Sequence, residues 1–143
     1  MPFIKVWIHF VWSTKNREPF LNSAIRREVF QHMRKNAKDK NIHIDTINGY
    51  IDHAHCLVSL GTDQTIKKLM QMIKGESSFW INKNNLCQGK FEWQDEYYGE
   101  SVSESDLNRV RAYIKNQEQH HSTKTFQQEY EELINSKRLK PLG

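Results

Sequence analysis

Along residues 3–12 the chain alternates: Ile4, Val6, Ile8, Phe10 and Trp12 fall on one side, and Lys5, Trp7 and His9 on the other. A period of two with β-branched and aromatic side chains predicts a strand. A polar loop runs from Ser13 to Pro19. Ser23 then reads as the N-cap of a helix whose buried stripe is Ile25, Val29, Met33 and Ala37, with Phe30 beside it. Period two returns at 42–60. Ile42, Ile44, Thr46 and Asn48 are expected on one face, and His43, Asp45 and Ile47 on the other. Gly49 to Asp52 supply a turn, and His53 to Leu60 form the next strand, broken by Gly61-Thr62-Asp63. Helical spacing follows in Ile66, Leu69, Met70, Ile73, Ser77 and Trp80. After a polar stretch at 82–89, Phe91-Glu92-Trp93 predicts a further strand. Ser103 to Asp106 has the form of a capping box before a third helix, expected over 104–118 and carrying Leu107, Val110 and Ile114. Thr125 with Gln128 forms another box before a last helix bearing Phe126, Tyr130, Leu133 and Ile134. The basic tail Lys137-Arg138-Leu139-Lys140 is expected to be loose.

The predicted order is βαββαβ followed by extra helices. This places the chain in the α+β class, as a ferredoxin-like split βαβ sandwich: an antiparallel sheet with helices on one face plus extra C-terminal helices. Neither a repeat nor a linker interrupts the pattern, so residues 1–143 read as a single domain. The helices bury the apolar faces of the strands, which leaves the opposite sheet face free for chemistry.

Composition narrows the picture only in places. Hydrophobic residues make up 37% and aromatic residues 11% of the 143, enough to exclude a disordered chain. No apolar run approaches membrane-spanning length, and the N-terminus lacks a basic stretch leading into an apolar signal core, so a soluble, cytoplasmic protein without a membrane partner is expected. Cys56 and Cys87 match no ligand pattern and read as reduced packing residues. A net charge of +4 is a modest surplus that favours polyanions without singling out nucleic acid.

The histidines carry more information. Residues two apart on a strand point the same way, so His53 and His55 project together while Ala54, Cys56 and Val58 face the core. Two neutral imidazoles on a rigid, exposed strand face suit one divalent cation. The spacing equally suits two incidental surface histidines in a chain with seven. On the third helix Tyr113 and Gln117 stand four apart on one face, with His120 and His121 near it if the helix persists. Taken alone, Tyr113 is also a ring packed at a core edge.

The ordered set joins these pieces. Asp52-His53-Ala54-His55-Cys56 is a histidine–hydrophobe–histidine motif, followed later by Tyr113-Ile114-Lys115-Asn116-Gln117. With the opening Trp7 to Arg17, Trp93-Gln94, Ser101 to Ser103 and Asn116 to His121, it resembles the small single-tyrosine transposases of compact insertion sequences, within the histidine–hydrophobe–histidine endonuclease superfamily. The resemblance spans nearly the whole chain. Ala54 departs from the bulkier hydrophobe usual in the motif, a change expected to loosen packing more than chemistry.

The resemblance implies cleavage and rejoining of single-stranded DNA with hairpin ends through a covalent 5′-phosphotyrosine on Tyr113. It implies a divalent metal, Mg2+ or Mn2+, held by His53, His55 and Gln117. It further implies a two-fold homodimer whose active sites are shared between subunits. Tyr97 and Tyr98 are rival phenols, better suited to strand ends or to stacking on bases. Lys15, Arg17, Arg109 and Arg111 are the candidate DNA-binding residues, although most single basic residues on such helices are solvated surface. A replication or mobilisation nickase, a domesticated relative acting on chromosomal hairpins, and a non-catalytic nucleic-acid-binding module are the alternatives. The nickase commonly carries extra domains, and the binding module would have no use for His53, His55 and Tyr113 together.

Overall fold

The computed structural model describes residues 3–121 and 124–139. Its elements run β1 (Trp7–Ser13), α1 (Ser23–Asp39), β2 (His43–Tyr50), β3 (His53–Ser59), α2 (Ile66–Lys83), β4 (Tyr98–Val102), α3 (Leu107–Lys115), α4 (Gln117–His120) and α5 (Phe126–Leu139). The strands form one antiparallel sheet in the order β2-β3-β1-β4. Each βαβ unit is thus split by a strand of the other, which is the ferredoxin-like arrangement predicted from the element order.

The main core lies between one sheet face and helices α1 and α2. Ile8, Phe10 and Trp12 from β1 and Ala54, Cys56 and Val58 from β3 meet Val29, Met33 and Ala37 of α1 and Leu69, Met70 and Ile73 of α2. The period-two and period-3.6 stripes therefore converge as expected. Helix α1 is capped one residue earlier than predicted: Asn22, not Ser23, accepts the Ile25 N–H at 3.0 Å. Ala54 leaves no gap, because the Trp12 indole stands directly opposite it in the register on the β1 side. On the other side Gly49 faces it. A β-carbon added to Gly49 would lie 2.1 Å from the His53 carbonyl oxygen and 3.0 Å from the Phe30 ring. Only glycine lets β2 pass this close.

Three expectations are corrected. The alternation in β2 breaks at Asp45: Ile44 pairs with Val58, but Thr46 pairs with Leu57, so Asp45 is an extra residue in the ladder. Such a bulge reverses the facing of everything after it. Ile47 and Gly49 turn to the main core, while Thr46 and Asn48 turn to the histidine face. The fourth strand is Tyr98–Val102 along the β1 edge, not Phe91-Glu92-Trp93. Phe91 and Trp93 are instead core plugs, buried among the main cluster, with the Trp93 indole N–H donating to Ser77 Oγ at 2.9 Å. The basic tail is helical through Leu139, since α5 extends that far; Lys140 lies outside the described residues.

The second face of the sheet is covered too. Leu57 of β3, Val102, Leu107 and Ile114 form a smaller core beneath α3. Asp45 at the bulge and Asn48, redirected by it, fasten this layer. The Arg111 guanidinium donates through Nε and Nη2 to the two Asp45 carboxylate oxygens, each at 2.8 Å. Asn48 Nδ2 donates to the Lys115 carbonyl at 3.1 Å, where α3 ends. Behind it, Arg26 of α1 pairs with Glu118 of α4. Helix α5 starts at the expected box: Thr125 N–H donates to Gln128 Oε1 at 2.9 Å and Gln128 N–H to Thr125 Oγ1 at 3.2 Å.

Candidate active site

The histidine face was expected to be exposed. It is not: His53, His55 and Gln117 are fully buried beneath α3, α4 and α5. The physical reason is the C-terminal segment, which folds back across the sheet. Phe126 stacks on the His53 ring at 4.5 Å between centroids, and His121 meets the same ring edge-on at 4.5 Å.

The predicted ligands converge, although by a different route from the one expected. Helix α3 ends at Lys115, and Gln117 opens the separate turn α4. Its amide N–H still reaches back to the Tyr113 carbonyl at 3.2 Å, which aims Oε1 at His53 Nε2, 3.1 Å away. His53 Nδ1 lies 2.9 Å from Asp52 Oδ1. A carboxylate accepts, so Nδ1 carries the hydrogen and Nε2 is the ring nitrogen turned inward. Such an outer hydrogen bond orients metal-binding imidazoles in general. His55 Nδ1 sits 2.9 Å from His9 Nε2, and the two rings stack. Donation from His55 to His9 leaves His55 Nε2 free to bind a cation.

Glu129 of α5 stands at the centre, almost fully buried, and sequence reasoning missed it. Its Oε1 lies 3.1 Å from His55 Nε2, 3.2 Å from His121 Nε2 and 3.4 Å from His53 Nε2. Its Oε2 accepts the Tyr113 hydroxyl. The ligand atoms of His53, His55 and Glu129 lie within 4.8 Å of one another, as do those of His120, His121 and Glu129. Imidazole nitrogens with carboxylate and amide oxygens form a donor set that fits a divalent cation.

Electrostatics follows from this packing. Burial and the neighbouring His55 lower the His9 pKa to about 3, so its ring is neutral. Burial likewise lowers His55 to about 4, despite the Glu129 carboxylate. At His53 burial opposes charge, but the Asp52 and Glu129 carboxylates outweigh it and raise the pKa. Burial alone would raise Glu129; its close contacts with the His121, His53 and His55 rings reverse that and hold it ionised. Tyr113 moves upward, first from burial and then from the hydrogen bond and charge of Glu129. Its hydroxyl keeps its proton.

The rival phenols have other partners. The Tyr98 hydroxyl donates to Glu100, and the Tyr97 ring lies against Phe10 and beneath Lys74 on the opposite side of the sheet. Tyr113, by contrast, opens onto a cleft of about 570 Å3 bordered by His9, Glu100, Arg109, His120 and Glu132. The candidate DNA contacts are scattered. Arg109 projects into solvent, 3.7 Å from Asp106. Lys15 pairs with Glu92, and Arg17 donates to Gln127 of α5 at 2.9 Å. Arg111 has its fork filled by Asp45, which makes it a fastener of α3. Cys56 is buried with its pKa pushed up to about 12, and both cysteines are free thiols, as expected of packing residues.

Comparison with known proteins bears on this arrangement. The family described as "Transposase IS200 like" matches residues 3–117. The ISDra2 transposase TnpA of Deinococcus radiodurans is 25% identical over 115 residues, covering 76% of this chain and 81% of that protein. Among solved structures, a Deinococcus radiodurans protein provisionally assigned as a transposase superimposes with a TM-score of 0.66 at 23% identity, covering 81% of this chain and 93% of its own. A REP-associated tyrosine transposase bound to a REP hairpin superimposes with a TM-score of 0.63 at 18% identity, covering 85% of this chain and 72% of that one.

Proposed function

Because the chain belongs to the IS200-like transposase family, we propose that it cleaves and rejoins single-stranded DNA at insertion-sequence ends through a covalent 5′-phosphotyrosine on Tyr113. The observation that carries the proposal is a convergence within one chain: the Tyr113 hydroxyl and two inward imidazoles, His53 and His55, meet at one buried carboxylate. His53, His55 and Gln117 are the proposed ligands of Mg2+ or Mn2+. Bound there, the ion supplies Lewis-acid stabilisation of charge developing on the scissile phosphate.

The protein's own groups set the rest. An ordinary tyrosine hydroxyl has a pKa of about 10, and burial with Glu129 raises this one further. Prior ionisation is therefore disfavoured, and the proton leaves along the existing hydrogen bond to Glu129 only as bonding to phosphorus develops. The Tyr113 oxygen forms the new bond, the bond from phosphorus to the 3′ oxygen breaks, and that oxygen leaves as a hydroxyl after taking up a proton. The reverse reaction rejoins a strand with no external energy source, since the phosphoester bond is kept.

The substrate proposed is a hairpin-bearing single strand, a chemistry supported by the family and by the neighbour bound to a REP hairpin. Lys15, Arg17 and Arg109 are the proposed phosphate contacts. The two-fold homodimer remains part of the proposal, with each Tyr113 beside its own chain's histidines in the arrangement described. A cytoplasmic location is proposed as well; among the described residues no helix is long and apolar enough to cross a membrane.

The test is adduct trapping. Incubated with Mn2+ and a hairpin-bearing oligonucleotide, the chain should form a covalent protein–DNA species on denaturing gels, and Tyr113→Phe should abolish it while retaining most binding. An adduct that survives in Tyr113→Phe but vanishes in Tyr97→Phe or Tyr98→Phe would refute the assignment. A domesticated relative acting on chromosomal hairpins would form the same adduct, with flanking DNA of the gene lacking paired hairpins.

A further inference from the structure

The family match ends at Gln117, yet the donor cluster does not. His121 Nδ1 lies 2.7 Å from the Lys124 carbonyl oxygen. A carbonyl only accepts, so that nitrogen carries the hydrogen and Nε2 is the ring atom turned inward. It faces Gln117 Oε1 at 3.0 Å and Glu129 Oε1 at 3.2 Å. His53 Nε2, turned inward because Nδ1 is engaged by Asp52, faces the same two oxygens at 3.1 and 3.4 Å. The Gln117 amide nitrogen is directed to the Tyr113 carbonyl and to Glu129 Oε2, so its oxygen cannot be exchanged inward for a donor without losing both. Four ligand-type atoms, two imidazole nitrogens and two oxygens, thus converge in a place shut off from water, a set that positive charge among them holds together.

A single divalent cation satisfies all four ligand atoms together. Resting on the metal reading given under Proposed function, we propose that the segment beyond the family match completes the metal centre, with Glu129 of α5 and His121 as ligands alongside His53, His55 and Gln117. Phe126 and the Thr125–Gln128 box place them: the ring packs on His53, and the box fixes the start of α5 one turn before Glu129.

The experiment is a Mn2+ titration of the full chain, read as loss of the free-ion electron paramagnetic resonance signal. The unmodified chain should bind one ion and the His53→Ala, His55→Ala double variant should lose it. Glu129→Gln, which keeps the shape and removes the charge, and His121→Ala should each bind at least about ten-fold more weakly, the scale on which even outer partners of ligands act. Unchanged affinity in both Glu129→Gln and His121→Ala, with loss in the histidine double variant, overturns this proposal and leaves the three-ligand site standing. Unchanged affinity in the double variant overturns both.

Should Glu129→Gln fail to fold, the unmodified chain answers alone. Pulsed resonance of bound Mn2+ should count three imidazole nitrogens, and carboxyl-13C-labelled glutamate should show a coupling to the ion. Two imidazoles and no 13C coupling would refute the added ligands.

Discussion

At the scale of single residues, the charge pair Asp45–Arg111 is the clearest test of how the second layer is held. Arg111 donates to both Asp45 oxygens, and these hydrogen bonds, with Thr46 adding another, hold the Asp45 carboxyl below the usual range against the opposing effect of burial. Asp45→Asn should destabilise the fold by about 1–2 kcal/mol at neutral pH, the range for hydrogen bonds to charged groups discounted for partial exposure. Because the folded-state pKa is depressed, that stability is present above the unfolded value of about 4 and is lost as pH falls through the folded one. Denaturant melts should show the wild-type and Asp45→Asn midpoints drawing together below about pH 4; a gap that persists there would mean the pair contributes through shape alone. Glu129 illustrates the opposite problem at this scale. It sits among Glu131 and Glu132 on a helix with ordinary apolar spacing, so in the sequence it reads as one solvated acid among several. Nothing local connects it to His53. His9 was more visible, since its alternation with Ile8 and Phe10 already set it on the face shared with His55.

At the scale of elements, strands and helices with a strong period were legible, and those shaped by one exception were not. β1, α1, β3 and α2 follow periods that survive folding because both partners bury the same stripe. β2 departs because one residue, Asp45, is extra relative to β3, and no alternation count foresees an insertion that only the partner strand defines. β4 is short, contains Gly99 and exposes Ser101, so Phe91 and Trp93, stronger apolar residues, drew the prediction instead. The site was legible as far as the matched region extends: His53, His55, Tyr113 and Gln117 meet, whereas the elements that cover and complete them come from beyond it. The Gly49 crossing ties strand to site. Gly49→Ala should lower stability by about 1–3 kcal/mol, the usual cost of overpacking, and because the clash is with the His53 carbonyl it should also weaken Mn2+ binding. Calorimetry beside the metal titration checks both; a stable variant with normal affinity would show that β2 can shift aside.

At the scale of the whole molecule, one chain encloses everything the proposed chemistry uses. Tyr113 reaches the same carboxylate as its own chain's histidines, which bears on how a dimer would work. If the nucleophile acts beside its own histidines, a mixture of Tyr113→Phe with the His53→Ala, His55→Ala variant should form no adduct beyond either alone. Recovery of adduct on mixing would show instead that tyrosine helices are exchanged between subunits. The same enclosure sets a polarity at the entrance: the cleft beside Tyr113 is bordered by Glu100, Asp106, Glu129 and Glu132, with Arg109 the basic residue facing them. A phosphate approaching by that route meets net negative charge until a cation is bound. DNA binding should therefore strengthen on adding Mn2+ at fixed ionic strength, and fluorescence anisotropy with a labelled hairpin measures it; equal affinity with and without the ion would place the entry path elsewhere.

The bulge at Asp45 has a consequence for which changes of length this chain tolerates. Between Thr46 and Ser59 the number of residues carries as much information as their identity. Deleting Asp45 would restore an unbroken ladder in which Thr46 still pairs with Leu57 and Asn48 with His55, so the facing is kept and what is lost is the carboxylate that Arg111 grips. A single-residue deletion after the bulge instead sends the side chains beyond it to the wrong face, whereas one in the polar loops at 15–18 or 84–89 shortens a connection. Across relatives of this chain, gaps should accumulate in those loops and be absent from 46 to 59, even where the amino acids themselves have drifted.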